Sequence, residues 1–212
     1  MGIAERKSKQ KEELRQNILD AAKRLFLKEG YHATSIRKIA KEIEFSPTTI
    51  YLYYKDKAEI AHALHIEGFK LLGRQFGLLM HIDDPFERIK VMGRIYMQFS
   101  LENTDFYELM FVLKEPMDHI KECGMEEGWE EGDQAFNLLM QNVLACQEAG
   151  YFKSFDPAKI ALIAWSTLHG LCTLNLHGHL AFVKTYKGEF THIEDLFTST
   201  FNTFVAILEQ LK

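Results

Sequence analysis

The sequence predicts an all-α protein, built as a three-helix N-terminal head followed by a larger helical body. Apolar residues recur at three- and four-residue spacing through most of the 212 residues, which is the pattern of a helix with one buried face. Capping residues, prolines and glycines divide these stretches into separate helices. Apolar and polar residues alternate nowhere for long enough to predict a β-sheet.

The composition is that of an ordinary globular chain, with 47% hydrophobic and 26% charged residues, which argues against a disordered or fibrous protein. The three cysteines, Cys123, Cys146 and Cys172, are odd in number and widely spaced, which favours reduced thiols over a disulfide framework. The N-terminus is charged and lacks an apolar signal segment, and no stretch approaches the roughly 18 apolar residues of a membrane span. We therefore expect a cytoplasmic protein that does not enter the membrane.

Charge is distributed unevenly along the chain. Residues 1–57 hold 13 basic and 8 acidic residues, a net charge of +5, whereas the rest of the chain holds 12 basic and 22 acidic residues, a net charge of −10. A basic N-terminal part favours contact with a polyanion, and an acidic remainder would be repelled from it.

The head is predicted to span residues 1–56, with 1–10 disordered. Its first helix is predicted at 11–29, where apolar residues follow helical spacing and Gly30 gives a stop signal. Thr34 is placed to cap the second helix, because a side-chain hydroxyl can accept a hydrogen bond from a free N–H of the first turn.

The third helix is predicted at 47–54. Ser46 is placed as its N-cap and Pro47 takes the first helical position, where the missing N–H costs nothing. Ile50 and Tyr54 lie four residues apart, so they can share the buried side of the helix. The residues left facing outward are Pro47, Thr48, Tyr51 and Tyr53.

The body is predicted to span residues 57–212 and to begin with a long helix at 57–80. Asp56 and Glu59 form a capping box at its start, and at 1.5 Å per residue it would span roughly 36 Å. Later helices are predicted from 84 onward, after 103, and at 134–149, 156–176 and 191–212, with an acidic connection at 121–133 and a loop at 177–188. Residues 160–176 are apolar on nearly every side, so we expect this helix to be covered by its own domain and by a second subunit.

Three motifs in the head resemble a known family. They are R-x-x-I-L-x-A-A at 15–22, T-S-I-R-x-I-A at 34–40 and S-P-T-T-I-Y-x-Y-Y-K-D-K at 46–57. With three helices in about the first 55 residues and a longer helical body, the chain strongly resembles the TetR family of bacterial repressors. The motif match covers roughly residues 14–62, and long ordered motifs are far more specific than a lone short one.

The resemblance implies a homodimer whose two helix-turn-helix heads enter successive major grooves of a palindromic double-stranded DNA operator. It places Thr34 at a phosphate, Arg37 near a base or phosphate, and Tyr53 and Lys57 at the DNA backbone. The third helix would read bases through Pro47, Thr48, Thr49 and Tyr51.

One residue departs from the family pattern. Family members usually carry glycine in the turn where this chain has Glu44. A left-handed conformation at a residue with a side chain costs roughly 1 kcal/mol. We therefore expect a strained or slightly altered turn, with a possible effect on the pose of the third helix.

The body resembles the family less closely. Trp165, His169 and Gly170 follow the W-x-x-x-H-G pattern of one subgroup of TetR-type C-terminal domains, which house a small-molecule cavity and dimerise through their last two long helices. Here those helices would lie at 156–176 and 191–212. Apolar side chains, among them adaptable methionines, suit such a cavity. The predicted effector-contacting residues are Phe99, Phe106, Met110, Phe136, Met140, Trp165 and His169.

Other sites are weighed against simpler structural roles. His62 with His65, and His177 with His179, could ligate a metal, but without a cysteine pair or carboxylate cluster at metal spacing we predict packed or solvated histidines and no metal or cofactor. His169 lies in an apolar helix, where a histidine is more often a core residue than a ligand-sensing group. No catalytic motif predicts an enzyme. The leading hypothesis is a repressor released by a small, largely apolar molecule; the alternatives are an activator, or a carrier or enzyme with a non-functional head.

Overall fold

A computed structural model describes residues 2–122, 129–183 and 193–212. These ranges contain ten α-helices and no β-strand, so the predicted all-α class is confirmed. The helices are α1 (Ile3–Glu29), α2 (Ile36–Glu42), α3 (Pro47–Tyr51), α4 (Lys57–Phe76), α5 (Pro85–Glu102), α6 (Thr104–Tyr107), α7 (Glu115–Glu122), α8 (Glu130–Glu148), α9 (Pro157–Leu176) and α10 (Ile193–Glu209). None of these helices is both long and apolar enough to cross a membrane.

The first helix begins earlier than the sequence predicts. α1 starts at Ile3 and not at residue 11, so it includes residues 3–10. The stretch contains no proline and no glycine after Gly2, and the Glu5 carboxylate accepts a hydrogen bond from the Gly2 N–H over 2.7 Å. Such a contact satisfies one of the free N–H groups at a helix start.

α8 also begins earlier than predicted. It starts at Glu130 and not at 134, and its first turn holds Glu130, Glu131 and Asp133. Acidic side chains are stabilising beside the positive end of the helix dipole, so charges taken as part of a connection belong to a helix start. Residues 123–128 of the predicted connection and Thr191, the predicted cap of the last helix, lie outside the described residues.

The chain forms two compact units, and each contains two separate stretches of sequence. The first unit holds Met1–Lys70 and Asp105–Trp129, and the second holds Leu71–Thr104 and Glu130–Lys212. The first unit therefore combines the helix-turn-helix with α7, with α6 from Asp105 onward, and with the first part of α4, up to Lys70. A boundary at residue 56 between independent domains stays a prediction.

The second unit is built around α5, α8, α9 and α10. Its hydrophobic core consists of Phe86, Ile89, Val143, Cys146, Phe152, Ile160, Ala161 and Leu208. Burial raises the pKa of the Cys146 thiol to about 12, so this thiol stays protonated, and Cys146 forms no disulfide. Asp84 and Asp156 cap α5 and α9 through hydrogen bonds to two backbone N–H groups each, as the sequence indicates.

Candidate functional site

α2 and α3 form the helix-turn-helix, and the cap of α2 differs from the prediction. Ser35, not Thr34, is the N-cap, and its hydroxyl accepts from the Lys38 N–H over 3.3 Å. Thr34 is 2% exposed and its hydroxyl donates to the Gly30 carbonyl over 2.9 Å. Both residues can cap a helix; here the chain turns one residue later, and Thr34 closes the preceding turn.

The turn between α2 and α3 keeps its left-handed residue. Glu44 has a φ of +59°, and the next N–H, that of Phe45, donates to the Ala40 carbonyl over 2.9 Å. The turn is therefore closed by backbone hydrogen bonds, as it would be with glycine. Glutamate at this position adds conformational cost without opening the turn.

α3 is short and is fixed from both ends. Its N-cap, Ser46, accepts from the Thr49 N–H over 3.1 Å. The helix ends at Tyr51, three residues earlier than predicted, yet Ile50 and Tyr54 are both buried as expected, at 0% and 2% exposed. Arg15 of α1 donates to the Tyr54 hydroxyl over 3.2 Å. Tyr54, just after α3, is thus joined to α1, and the side of α3 opposite the buried Ile50 is exposed to solvent.

The predicted DNA-contacting residues differ in exposure. Thr48, Tyr51 and Arg37 are exposed, with Tyr51 at 56%. Three others, Pro47, Thr49 and Tyr53, are half-buried. Leu52, which the sequence did not single out, is 75% exposed beside Tyr51. A large exposed apolar side chain beside the predicted DNA-contacting helix is a residue that the pattern of buried positions could have revealed.

Lys57 makes contacts within the first unit. Its ammonium group donates to the carbonyls of Tyr31 and Thr34 over 2.6 and 2.9 Å and lies 4.0 Å from the centre of the Tyr31 ring. Burial lowers the pKa of Lys57, and the negative charge of Glu115 acts in the opposite direction. Because an ammonium group has three N–H donors, one is left for the predicted phosphate contact.

A polar group within the second unit joins residues predicted to contact an effector. The Tyr96 hydroxyl and His169 Nδ1 are 3.2 Å apart, and Trp165 donates to the same hydroxyl over 3.4 Å. The Phe136 and Trp165 rings lie 5.9 Å apart. The sequence analysis does not predict a role for Tyr96, because a tyrosine at an apolar position of a helix gives no local signal of a polar contact.

The remaining predicted effector residues are divided between the units. Phe99 and Met140 belong to the second unit, where Phe99 is fully buried. Phe106 and Met110 belong to the first unit and are buried there. Burial lowers the pKa of His169, which favours a neutral imidazole beside the Tyr96 hydroxyl.

The histidines weighed as metal ligands differ in burial. His62 and His65 are 8% and 2% exposed, and Trp129 donates to His65 Nε2 over 3.1 Å. The His119 ring lies 5.5 Å from the His62 ring. Within the described ranges, no group of three or more histidine, cysteine or acidic residues is arranged to hold a metal ion. His177 and His179 are solvent-exposed.

Two family models match the chain and together cover most of its length. The model of bacterial regulatory proteins of the tetR family matches residues 18–64, which include the helix-turn-helix. The model of tetracyclin repressor-like C-terminal domains matches residues 89–209, more than half of the chain. The chain belongs to the TetR family.

Named regulators resemble this TetR-family chain either in the sequence of the head or in the structure of nearly the whole chain. The fatty acid metabolism regulator of Bacillus subtilis is 41% identical over 59 residues, which are 28% of this chain and 30% of that protein. The fatty acid degradation regulator FadR from Bacillus halodurans superposes with a TM-score of 0.69 at 20% identity, covering 92% of this chain and 93% of FadR. A regulator structure from Saccharomonospora viridis in complex with choline has a TM-score of 0.68 at 21% identity, with 92% and 96% covered.

Proposed function

We propose that this TetR-family protein is a ligand-responsive transcriptional repressor that binds a palindromic operator as a homodimer in the cytoplasm. The observation that carries the proposal is the two-sided construction of α3. One side is anchored in the first unit through Ile50 and Tyr54, while Thr48 and Tyr51 are presented to solvent. A short helix held in this way suits insertion into the major groove.

The proposed roles of the DNA-contacting residues follow their exposure. Tyr51 and Thr48 would contact base edges, with Pro47 and Thr49 beside them, and Arg37 and Tyr53 would contact bases or the DNA backbone. Lys57 and Thr34 would act mainly by holding the turn before α2, since their polar groups already make hydrogen bonds there. Lys57 retains one donor for a phosphate.

The dimer would form through α9 and α10. Leu162 and Ile163 of α9 are each 52% exposed, Leu174 is 46% exposed, and Ile207 of α10 is 57% exposed. Several large apolar side chains left half-exposed on two long helices favour burial against a second copy. Two identical heads would then meet the two halves of a palindrome.

The effector is proposed to be a small, largely apolar molecule with one polar group. Phe136, Trp165 and Met140 supply apolar surface, and the hydroxyl of Tyr96 with the His169 imidazole supplies a single polar point. Relatives named for fatty acid metabolism and degradation make a carboxylated or esterified acyl chain one class to test. The effector would release DNA by binding more tightly to a dimer whose heads are spaced wrongly for the operator.

The test is selection of bound fragments from a genomic DNA pool by the purified protein, followed by titration of a recovered site. We expect a palindromic fragment bound by two chains, with affinity that falls steeply as salt rises. Retention of no fragment would contradict the proposal and favour a carrier or enzyme with a non-functional head. If transcription from a bound promoter rises when the protein is present, the protein is an activator.

A further inference from the structure

A stretch from the middle of the sequence packs within the first unit. It holds α6 from Asp105 onward, the π-helical turn Glu108–Val112 and α7. A Cβ added to Gly68 of α4 would lie 2.5 Å from Met110 Sδ and 3.1 Å from Phe106 Cδ1. The ammonium group of Lys23 in α1 lies 4.2 Å from the centre of the Phe106 ring. Two predicted effector-contacting residues therefore lie directly against α1 and α4.

The same stretch meets the turn between α1 and α2 through Glu115, the first residue of α7. Glu115 Oε1 is 3.0 Å from His32 Nε2, and the Glu115 side chain is only 13% exposed. Its other oxygen, Oε2, is buried and accepts no hydrogen bond from any residue in the described ranges. Leaving a buried acceptor without a donor destabilises a fold, so packing alone does not account for a carboxylate at this position.

Lys57 holds the same turn from α4. It donates to the carbonyls of Tyr31 and Thr34, the residues that flank the turn. The charge of Glu115 acts on both groups: it opposes the lowering of the Lys57 pKa by burial, and it adds to burial in raising the pKa of Tyr31 to about 12. Glu115, Lys57 and the turn thus form one electrostatically connected cluster.

The turn leads directly into the DNA-contacting part of the head. Thr34, whose carbonyl Lys57 holds, is followed at once by Ser35, the N-cap of α2. Arg37, an exposed residue proposed to contact DNA, lies in the first turn of α2. A shift of this turn would therefore move α2 and the Arg37 side chain.

We propose that Glu115 is a positioning residue for operator binding, which fixes the turn between α1 and α2 in the geometry that the operator requires. This inference rests on the function proposed above. Glu115 itself does not touch DNA in this scheme.

The test is a titration of a recovered operator fragment, by fluorescence anisotropy at several salt concentrations, with effector-free protein. Glu115→Gln removes the charge and keeps the side-chain size. We expect the Kd to rise roughly fivefold, a size typical of one polar contact, with the slope of log Kd against log salt unchanged because no phosphate contact is lost. The matched control is Asp118→Asn on the same helix, whose carboxylate is 46% exposed and lies 3.9 Å from Lys114; its Kd should equal that of the wild type.

His32→Asn and the double variant complete the cycle. His32 is 85% exposed, so we expect His32→Asn to leave the fold intact. We expect it to raise the Kd as well. The double variant should have the same Kd as Glu115→Gln alone, because both changes break the same contact. Stoichiometric titration counts the active protein, so partial unfolding would lower the active fraction and not the Kd. Wild-type affinity in Glu115→Gln, or independent additive effects of the two changes, would overturn the inference. If the wild type itself retains no DNA, the proposed function fails with it.

Discussion

Glu44 is the residue of the helix-turn-helix with the most demanding backbone conformation, since its φ of +59° lies in the left-handed region. A side chain costs roughly 1 kcal/mol there, and glycine does not. We predict that Glu44→Gly removes this cost and so raises the free energy of unfolding by about 1 kcal/mol. The greater backbone freedom of glycine in the unfolded chain offsets part of this gain. Urea unfolding would measure it.

Lys41→Gly is the matched control for this change. Lys41 is also exposed but lies within α2, where glycine lowers stability by about 0.5–1 kcal/mol. A Glu44→Gly protein that is destabilised as much as Lys41→Gly would show that the glutamate side chain makes a compensating contact in the turn.

His169 should make the free energy of unfolding depend on pH, with a sign that follows from the direction of its pKa shift. Burial lowers its pKa in the folded state, so the unfolded chain takes up a proton first as pH falls. The contribution of the neutral His169 imidazole to the free energy of unfolding is fully present above the unfolded-state pKa of about 6.5. It is lost as pH falls through the lower folded-state pKa. We predict that urea unfolding free energy drops less between pH 7 and pH 5 in His169→Asn than in the wild type.

His177→Asn serves as the control for this measurement, because His177 is exposed after the end of α9. Its pH profile should follow that of the wild type. An identical profile for His169→Asn would show that the buried imidazole does not lose its proton affinity on folding.

Single residues also mark the limit of sequence reasoning. The left-handed strain at Glu44 was predictable, because backbone geometry depends on local sequence. The exchange of roles between Thr34 and Ser35 was not, since either hydroxyl can cap α2 and only the path of the preceding turn decides. The contacts of Lys57 with Tyr31 and Thr34 join residues more than 20 positions apart, which no spacing rule detects.

At the scale of elements, helix positions were predictable and some helix ends were not. Asp84 and Asp156 mark the starts of α5 and α9 because each cap acts on its own first turn. α1 begins at Ile3 and α8 begins at Glu130, both earlier than predicted. In both places the first turns are rich in charged residues, so the sequence pattern is compatible with either a helix or a charged connection. α6 and the π-helical turn after it could not be separated by periodicity, since each spans about one turn.

Gly93 of α5 packs closely against Phe201 and Leu168 in the second unit. A Cβ there would lie 2.7 Å from Phe201 Cε2 and 3.2 Å from Leu168 Cδ1. Forcing a methyl group into a packed core costs about 1–3 kcal/mol, which exceeds the gain of up to about 1 kcal/mol in helix propensity. We predict that Gly93→Ala lowers the midpoint of urea unfolding.

Gly73→Ala tests the same substitution without the close contact. Gly73 is exposed in α4, and a Cβ there would meet nothing within 4 Å. This variant should be as stable as the wild type or more so. Equal stability of both variants would contradict a tight packing of α5 against Phe201 and Leu168.

At the scale of the whole molecule, family membership and fold class were both accessible from sequence, because the helix-turn-helix motifs are long and ordered. The composition of the two units was not. Asp105–Trp129 packs with the N-terminal residues although 34 positions separate it from the end of the first stretch at Lys70. Predicted effector residues such as Phe106 and Met110 consequently lie in the same unit as the helix-turn-helix, which sequence order does not suggest.

The central claim is that the exposed side of α3 reads an operator, and Tyr51 is its most exposed aromatic residue, at 56%. The direct measurement is titration of a selected genomic fragment with wild-type protein and with Tyr51→Ala at several salt concentrations. We predict binding by the wild type and a Kd about tenfold or more higher for Tyr51→Ala, as expected for the loss of a base contact, with an unchanged salt slope. Equal affinity of the two proteins for the fragment would contradict the assignment of α3 as the reading surface.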